Sequence, residues 1–120
     1  LKGYSHMLTG YIGSASFLEA IVQVVDRVKA QNSEMKYICD PVLGDNGKFY
    51  VPEELVDLFK SKILPLSHMI TPNQFEAEKL SGIQITDLES AKDAIQILHG
   101  LGPKIVIITS TFFSGNTDLI

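Results

Sequence analysis

The chain has 120 residues, of which 45% are hydrophobic and 20% are charged, and its net charge at pH 7 is −4. These values exclude a disordered chain and predict one domain with a packed core. The lysine and arginine residues form no basic stripe, which argues against a nucleic-acid partner. No apolar run is long enough to cross a bilayer, and the first ten residues lack the pattern of a signal peptide, so we expect no membrane association. The single cysteine, Cys39, fits a reducing compartment and predicts a cytoplasmic protein.

The first predicted elements are a strand near Met7 to Gly10 and a long amphipathic helix. In "SFLEAIVQVVDRVKAQNS", apolar residues recur at the spacing that lines one face of a helix. Ser16 and Glu19 stand in capping-box register, which predicts that the helix begins there and ends near Asn32.

The middle of the chain alternates strands and helices. The run from Met35 to Cys39 is typical of a buried strand, and Pro52 suits the first turn of a following helix. "LSHMIT" predicts a short strand. "TPNQFEAEKLSG" then predicts a helix capped by Thr71, with Pro72 in its first turn and Gly82 beyond its end.

The last predicted elements are a helix and a strand. Thr86 and Glu89 form a capping-box pair that opens "DLESAKDAIQILHGLG", and "KIVIITS" is a nearly all-apolar strand. Alternation of this kind predicts an α/β fold with parallel strands and crossover helices on both faces of the sheet. In open sheets of this type, ligands bind beyond the carboxyl ends of the strands.

Polar residues follow each predicted strand at the edge where such a ligand would bind. They are Thr9-Gly10-Tyr11, Asp40-Pro41, Thr71-Pro72-Asn73 and Thr109-Ser110. Carboxylates at Asp40, Asp45 and Glu76 are hard oxygen ligands of the kind that Mg²⁺ prefers. Asn73, Thr109 and Ser110 could hydrogen-bond a phosphate or ribose.

Each of these features also has a simpler interpretation. Asp40 and Asp45 could form a hydrogen-bonded turn, Thr71 could be a plain helix cap, and the Thr109-Ser110 pair could be a turn. Cys39 lies within a strand and is interpreted as a packing residue. The three histidines have no metal-ligand spacing and are interpreted as ordinary surface or core residues; they are His6, His68 and His99.

Four sequence strings, between about Tyr4 and Ser110, closely resemble the pyridoxal kinases of the ribokinase-like family. The strings are "TGY" at 9–11, "YICDPVLGDNGKFYVPEEL" at 37–55, "ITPNQFEAEKLSG" at 70–82 and "VIITS" at 106–110. The resemblance implies a ribokinase-like three-layer α/β fold with a mostly parallel sheet, incomplete at both ends. Residues 1–120 would then be the central part of a single such domain.

The resemblance also implies an activity and a set of partners. Members transfer the γ-phosphate of ATP to the 5′-hydroxyl of pyridoxal, pyridoxine or pyridoxamine, as homodimers, with Mg²⁺ or another divalent cation and with K⁺ or Na⁺. It implies ATP contacts at Asp40, Tyr50, Asn73, Glu76, Thr109 and Ser110. It implies metal-site residues at Asp40, Asp45, Thr71 and Glu76, and a substrate contact at Tyr11.

The family's catalytic aspartate lies in a Gly-rich GTGD-type segment that this chain does not contain. Asp118 lies in "TFFSGNTDLI", which has no Gly-rich turn and is interpreted as a loop before a strand. We therefore expect no catalytic residue within the chain and no activity of the chain alone. Part of the family's pyridoxal pocket also comes from an earlier segment. Because the chain begins with Leu and ends in "TDLI", we interpret it as a fragment.

Three alternative functions remain open at this stage. One is a hydroxymethylpyrimidine kinase, whose relatives share the DP and TPN strings. A second is a truncated, non-catalytic isoform that dimerises with full-length subunits, and the third is an α/β binding module without a nucleotide.

Overall fold

A computed structural model describes residues 5–110 of the chain. Asp118 and the rest of "TFFSGNTDLI" lie outside the described residues. The strands are β1 (His6–Thr9), β2 (Lys36–Cys39), β3 (Gly44–Asp45), β4 (Lys48–Phe49), β5 (Met69–Ile70) and β6 (Ile105–Val106). The α-helices are α1 (Ala15–Gln31), α2 (Leu55–Leu58), α3 (Gln74–Ser81) and α4 (Leu88–Gly100). A π-helical turn (Phe59–Ile63) and a 3₁₀ turn (Leu64–Leu66) follow α2.

The main sheet has four parallel strands in the order β1, β2, β5, β6, and β3 pairs with β4 in a separate antiparallel hairpin. The predicted α/β fold with a mostly parallel sheet is therefore confirmed. The strand predicted at "KIVIITS" is shorter than expected, although a hydrogen bond from Ile107 N to Ile70 O (3.0 Å) continues its pairing.

The two faces of the sheet differ in how they are covered. Successive strands advance in one direction, and right-handed crossovers then place every helix on the same face. Tyr37, Cys39 and Ile70 point into that packed layer and are fully buried. On the other face, Leu8 is 71% exposed and Ile105 is 41% exposed. The described residues thus supply two layers of the predicted three-layer fold, and the helices expected on the second face are not among them.

Helix α1 begins two residues earlier than the sequence pattern predicted. Ser14 has the extended backbone of an N-cap, and its hydroxyl accepts a hydrogen bond from Phe17 N at 3.2 Å. The predicted cap at Ser16 is wrong, because Ser16 is already inside the first helical turn. The predicted end near Asn32 is confirmed.

Helix α3 begins at Asn73 and not at the predicted Thr71. Asn73 and Glu76 form a complete capping box, in which each side chain bonds the other residue's backbone N–H. Thr71 lies two residues before this cap and still belongs to the sheet, since its N–H donates to Cys39 O at 3.2 Å. Gly82 ends the helix with a left-handed backbone (φ 78°), as predicted.

Helix α4 is capped by Asp87, not by the predicted Thr86 and Glu89 pair. The Asp87 carboxylate accepts from Ser90 N at 2.8 Å, and the Ser90 hydroxyl accepts from Asp87 N at 3.1 Å. Asp87 has the extended backbone that an N-cap requires. The helix predicted after Pro52 is also shorter, because its α-helical part covers only Leu55–Leu58. No helix in the described part of the chain has the length and hydropathy needed to span a bilayer.

Candidate functional site

Backbone hydrogen bonds bring the four polar strand ends together at one edge of the sheet. They run from Asp40 N to Thr9 O (2.9 Å), from Thr71 N to Cys39 O (3.2 Å) and from Thr109 N to Pro72 O (2.9 Å). Each bond joins a residue just past one strand to the neighbouring strand or its continuation. The carboxyl edge therefore carries the polar groups that the sequence pattern assigned to it, side by side.

Asp40 lies at the centre of this edge. Its carboxylate is partly buried and shares a hydrogen bond with the Thr71 side chain. Burial raises the pKa of Asp40 above its ordinary value, and the Thr71 bond opposes that shift. Such a carboxylate is incompletely solvated and favours a neighbouring cation.

Glu76 is buried, with 4% of its surface exposed, and it joins α3 to the loop after β2. One carboxylate oxygen accepts from Leu43 N at 2.9 Å and from Gly44 N at 3.4 Å, and the other accepts from Asn73 N at 2.9 Å. Burial raises the pKa of Glu76, with these backbone bonds acting in the opposite direction and the charge of Asp40 adding to the rise. Both oxygens of Glu76 are therefore already engaged by the backbone.

Asn73 makes a second connection to the same loop. Its amide nitrogen donates to Gly44 O at 2.9 Å, while its amide oxygen accepts from Glu76 N at 2.8 Å. Asn73 and Glu76 thus hold the segment that leads to Asp45 at two points. The sequence pattern predicted that Asn73 and Glu76 contact ligands. It did not predict their hydrogen bonds to this loop.

The hairpin of β3 and β4 was not predicted from the sequence. Its two-residue turn is Asn46-Gly47, and both residues have positive φ, at 51° and 76°. An Asn-Gly pair is the strongest local signal for such a turn, and this signal could have identified it. Gly44 is required for close strand approach, because a Cβ there would lie 2.0 Å from Lys48 O.

The hairpin packs on α3 through aromatic contacts. The rings of Phe49 and Phe75 meet edge to face, with centroids 5.0 Å apart. The Lys79 ammonium lies 5.5 Å and 5.4 Å from the two ring centroids. These contacts fix the hairpin on the amino-terminal half of the helix.

A cavity of about 150 Å³ separates the hairpin turn from the start of α3. Asp45 and Ser110 both line it, and Gln74 N donates to Ser110 O at 3.0 Å. Asp45 also accepts from Asn46 N at 2.8 Å. The structure therefore pairs Asp40 with Thr71 at the sheet edge and places Asp45 with Ser110 in an adjoining cavity.

Two tyrosines predicted to contact ligands are largely exposed. Tyr11, just beyond β1, is 62% exposed, and Tyr50, just beyond β4, is 60% exposed. The Tyr11 ring lies over Gly13, where an added Cβ would come within 2.7 Å of the phenol oxygen. The predicted ligand contacts of both tyrosines stay predictions.

A buried polar group beneath the site was missed at the sequence level. The Tyr37 hydroxyl lies 2.5 Å from Thr9 Oγ1 on the neighbouring strand. Burial raises the pKa of Tyr37, and it raises that of Cys39 to about 12. A tyrosine in an apolar strand gives no sequence signal for this contact, which depends on the register of β1 and β2.

The available carboxylates fit a cation only in part. Among residues 5–110, no three histidine, cysteine or acidic side chains converge as a metal-binding group. Both Glu76 oxygens already accept backbone N–H groups, so a cation beside Glu76 would share the carboxylate with these bonds, whereas Asp40 has a hydrogen bond with the Thr71 side chain. A cation such as Mg²⁺ at this edge would therefore take one or two carboxylates and further oxygens from phosphate or water, which is usual for that ion.

The fold and this edge are typical of small-molecule kinases, and comparison with known proteins defines the family. The sequence model described as phosphomethylpyrimidine kinase matches residues 3–120, and the chain belongs to this family. Within it, the chain is similar to pyridoxal kinases, so the resemblance found in the sequence is confirmed. It is 53% identical to pyridoxal kinase from Arabidopsis thaliana, over 98% of this chain and 38% of that protein. It is 48% identical to human pyridoxal kinase, over 92% of this chain and 37% of that protein.

Solved structures give the same result. A Plasmodium falciparum PdxK structure with AMP-PNP and PL superposes with a TM-score of 0.88 at 34% identity, covering 95% of this chain and 42% of that chain. Leishmania donovani pyridoxal kinase with ADP and pyridoxamine gives a TM-score of 0.86 at 32% identity, covering 92% and 39%. The chain thus spans about two fifths of the length of these proteins.

Proposed function

We propose that the protein to which this chain belongs transfers the γ-phosphate of ATP to the 5′-hydroxyl group of pyridoxal, pyridoxine or pyridoxamine. The observation that carries the proposal is the 53% identity with a pyridoxal kinase over nearly the whole chain. Residues 1–120 would form the central part of one ribokinase-like domain. They would supply the nucleotide and cation side of its site.

Catalysis of phosphoryl transfer depends mainly on positioning the phosphates and neutralising their charge. It does not require a covalent intermediate with the protein. The bond between the γ-phosphorus and its bridging oxygen breaks, a bond to the substrate oxygen forms, and the hydroxyl proton passes to a base. The resemblance assigns that base to a GTGD-type segment, which the sequence of 120 residues does not contain. The chain alone is therefore expected not to catalyse this phosphoryl transfer.

The proposed roles follow the arrangement at the carboxyl edge. Asp40 would lie at the phosphates and cations, with Thr71 orienting it through their hydrogen bond. Asp45 would help to hold Mg²⁺ or another divalent cation from the adjoining cavity. K⁺ or Na⁺ would bind beside Thr71 and Glu76. When bound, these cations would neutralise charge on the transferred phosphate.

The remaining proposed contacts belong to the two substrates. Tyr50, Asn73, Glu76, Thr109 and Ser110 would border the nucleotide. Tyr11, exposed at the end of β1, would lie against the pyridine ring. Asn73 and Glu76 would also position Asp45, because they hold its loop through Gly44 O and Leu43 N.

Two experiments test this proposal. Isothermal titration should detect MgATP binding by the 120-residue chain, and Asp40→Asn should weaken it about tenfold or more because a charge-assisted contact is lost. Asp57→Asn, at an exposed position on α2, is the control and should bind like the wild type. Absence of MgATP binding to the wild-type chain would overturn the nucleotide role and favour a binding module of another kind.

The second experiment measures product. With ATP, Mg²⁺, K⁺ and pyridoxal, the chain alone should yield no pyridoxal 5′-phosphate, whereas Arabidopsis pyridoxal kinase serves as the positive control. Formation of product by the chain would contradict the assignment of the base. Pull-down of a full-length relative by the inactive chain would support the dimerising isoform as its role.

Hydroxymethylpyrimidine kinase is a second candidate because the matching family model is described as phosphomethylpyrimidine kinase. Competition between hydroxymethylpyrimidine and pyridoxal, measured on a protein that completes the site around this chain, separates the two. We further propose a homodimer in the cytoplasm, which sedimentation and cell imaging would test. The free, buried thiol of Cys39 is compatible with a reducing compartment.

A further inference from the structure

A second cavity, of about 300 Å³, lies at the opposite edge of the sheet from the candidate nucleotide site. The amino-terminal ends of β2, β5 and β6 form one side of it, through Lys36, His68 and Lys104. The end of α1 and the turn after it contribute Lys29 and Glu34. At this volume the cavity is large enough for a phosphate group.

The charged groups around this cavity are mainly cationic. Three lysines and His68 line it, whereas Glu34 is its one carboxylate among the described residues. In residues 5–110 the ion pair found is Lys62 with Glu19, and it involves neither Lys36 nor Lys104. Positive charge at the cavity therefore exceeds negative charge, although Glu34 lines it and Asp26 lies near Lys29.

Backbone bonds fix the main chain that carries His68 and Lys104. His68 N donates to Tyr37 O at 2.7 Å, and Lys104 N donates to His68 O at 2.9 Å. The Lys29 ammonium donates to Leu66 O at 2.5 Å, which fixes it at the rim. Adjacent strands thus present the cationic residues in neighbouring positions, at a spacing set by the sheet and not by flexible loops.

The pKa of His68 is shifted in the direction expected beside positive charges. Partial burial lowers the pKa of His68, and the charges of Lys36, Lys104, His6 and Lys29 lower it further. Burial also lowers the pKa of Lys29, with Asp26 acting in the opposite direction. An anion bound among these groups would reverse the effect on His68.

We propose that this cavity binds a small phosphate-type oxyanion, held by Lys29, Lys36 and Lys104. Lysine ammonium groups bind phosphate as point charges, and the hydroxyl of Ser33, also in the lining, is a further donor. Glu34 opposes the anion and sets an upper limit on its affinity. This site is independent of the proposed kinase function, because it lies at the other end of the strands.

The experiment titrates inorganic phosphate and pyrophosphate into the purified 120-residue chain at low ionic strength. Isothermal titration gives the affinity, and the imidazole proton signals in NMR give the pKa of His68. We expect saturable binding, tighter for pyrophosphate, and an upward shift of the His68 pKa in the presence of phosphate. Addition of salt should weaken the binding.

Two variants decide the outcome. The double variant Lys36→Gln and Lys104→Gln should weaken phosphate binding by about tenfold or more, since two charge-assisted contacts are lost. Lys60→Gln combined with Lys92→Gln removes the same charge elsewhere and should leave the affinity unchanged. Circular dichroism verifies that both variants are folded. Non-saturable binding, or equal loss in both double variants, would overturn the proposal.

Discussion

The Glu76 carboxylate accepts a hydrogen bond from Leu43 N at 2.9 Å, across 33 residues of sequence. The same side chain completes the capping box of α3. One buried group therefore stabilises a helix end and anchors the loop that carries Asp45. The position of Asp45 depends on this connection, which the local sequence around either residue does not reveal.

Replacement of Glu76 by alanine should destabilise the fold by about 2–3 kcal/mol, because the buried N–H of Leu43 and that of Asn73 lose their acceptor. Urea denaturation measures the change. Glu53→Ala, at an exposed position before α2, is the matched control and should change stability by less than about 0.5 kcal/mol. Equal effects of the two changes would contradict the anchoring role.

Gly44→Ala should disrupt the hairpin of β3 and β4. An added Cβ would lie 2.0 Å from Lys48 O, and backbone atoms cannot move away cheaply, so a loss of about 1–3 kcal/mol or more is expected. Gly100→Ala is the control because nothing lies within 4 Å of its Cβ. Thermal melting compares them, and a wild-type melting temperature for Gly44→Ala would show that the strands are not this close.

Stability should fall as pH rises above the ordinary aspartate pKa of 3.8, because burial raises the pKa of Asp40 in the folded state. Over that interval the folded protein binds more protons than the unfolded chain, so the free energy of unfolding decreases with pH. The decrease ends once the pH exceeds the raised folded pKa. Glu76, with its pKa also raised by burial, contributes in the same direction.

Asp40→Asn should make that pH dependence less steep. Urea denaturation at a series of pH values measures it, with Asp57→Asn as the control at an exposed aspartate of α2. An identical slope in wild type and Asp40→Asn would show that Asp40 is not the titrating group.

Ser14→Ala should destabilise the protein by about 1 kcal/mol, because the Ser14 hydroxyl caps α1 by accepting from Phe17 N. Ser16→Ala should have little effect, since Ser16 is already inside the helix. Denaturant midpoints of the two variants decide between the cap in the structure and the one that the sequence pattern predicted. A larger loss of stability in Ser16→Ala than in Ser14→Ala would show that Ser16 is the cap.

Cys39 should react very slowly with a thiol reagent such as Ellman's reagent in the native protein. The side chain is fully buried, and burial raises its pKa to about 12, so little thiolate is present at neutral pH. Denaturant should expose it for rapid reaction. Fast reaction of the native protein, at the rate of the unfolded chain, would indicate that β2 is accessible.

The sequence by itself determined the order of the helices and of the four main-sheet strands, the parallel arrangement of those strands and the family, but not the β3–β4 hairpin. Hydrophobic periodicity and strings such as "CDPVLGD" are local properties, so they can be read without coordinates. They also placed Asp40 and Thr71 at one edge, because parallel strands end together. The errors were local as well: at α1, α3 and α4 several cap residues compete within three positions, and the pattern does not rank them.

Only the tertiary structure decided how the polar residues are used. One oxygen of Glu76 accepts from Leu43 N and Gly44 N, more than 30 residues away in sequence, and the other accepts from Asn73 N within its own helix cap. The basic cavity likewise depends on strand register, which sets His68 beside Lys104 and brings Lys36 of the next strand to the same cavity. Both features come from contacts between distant segments, and these are fixed by packing and pairing of the whole sheet.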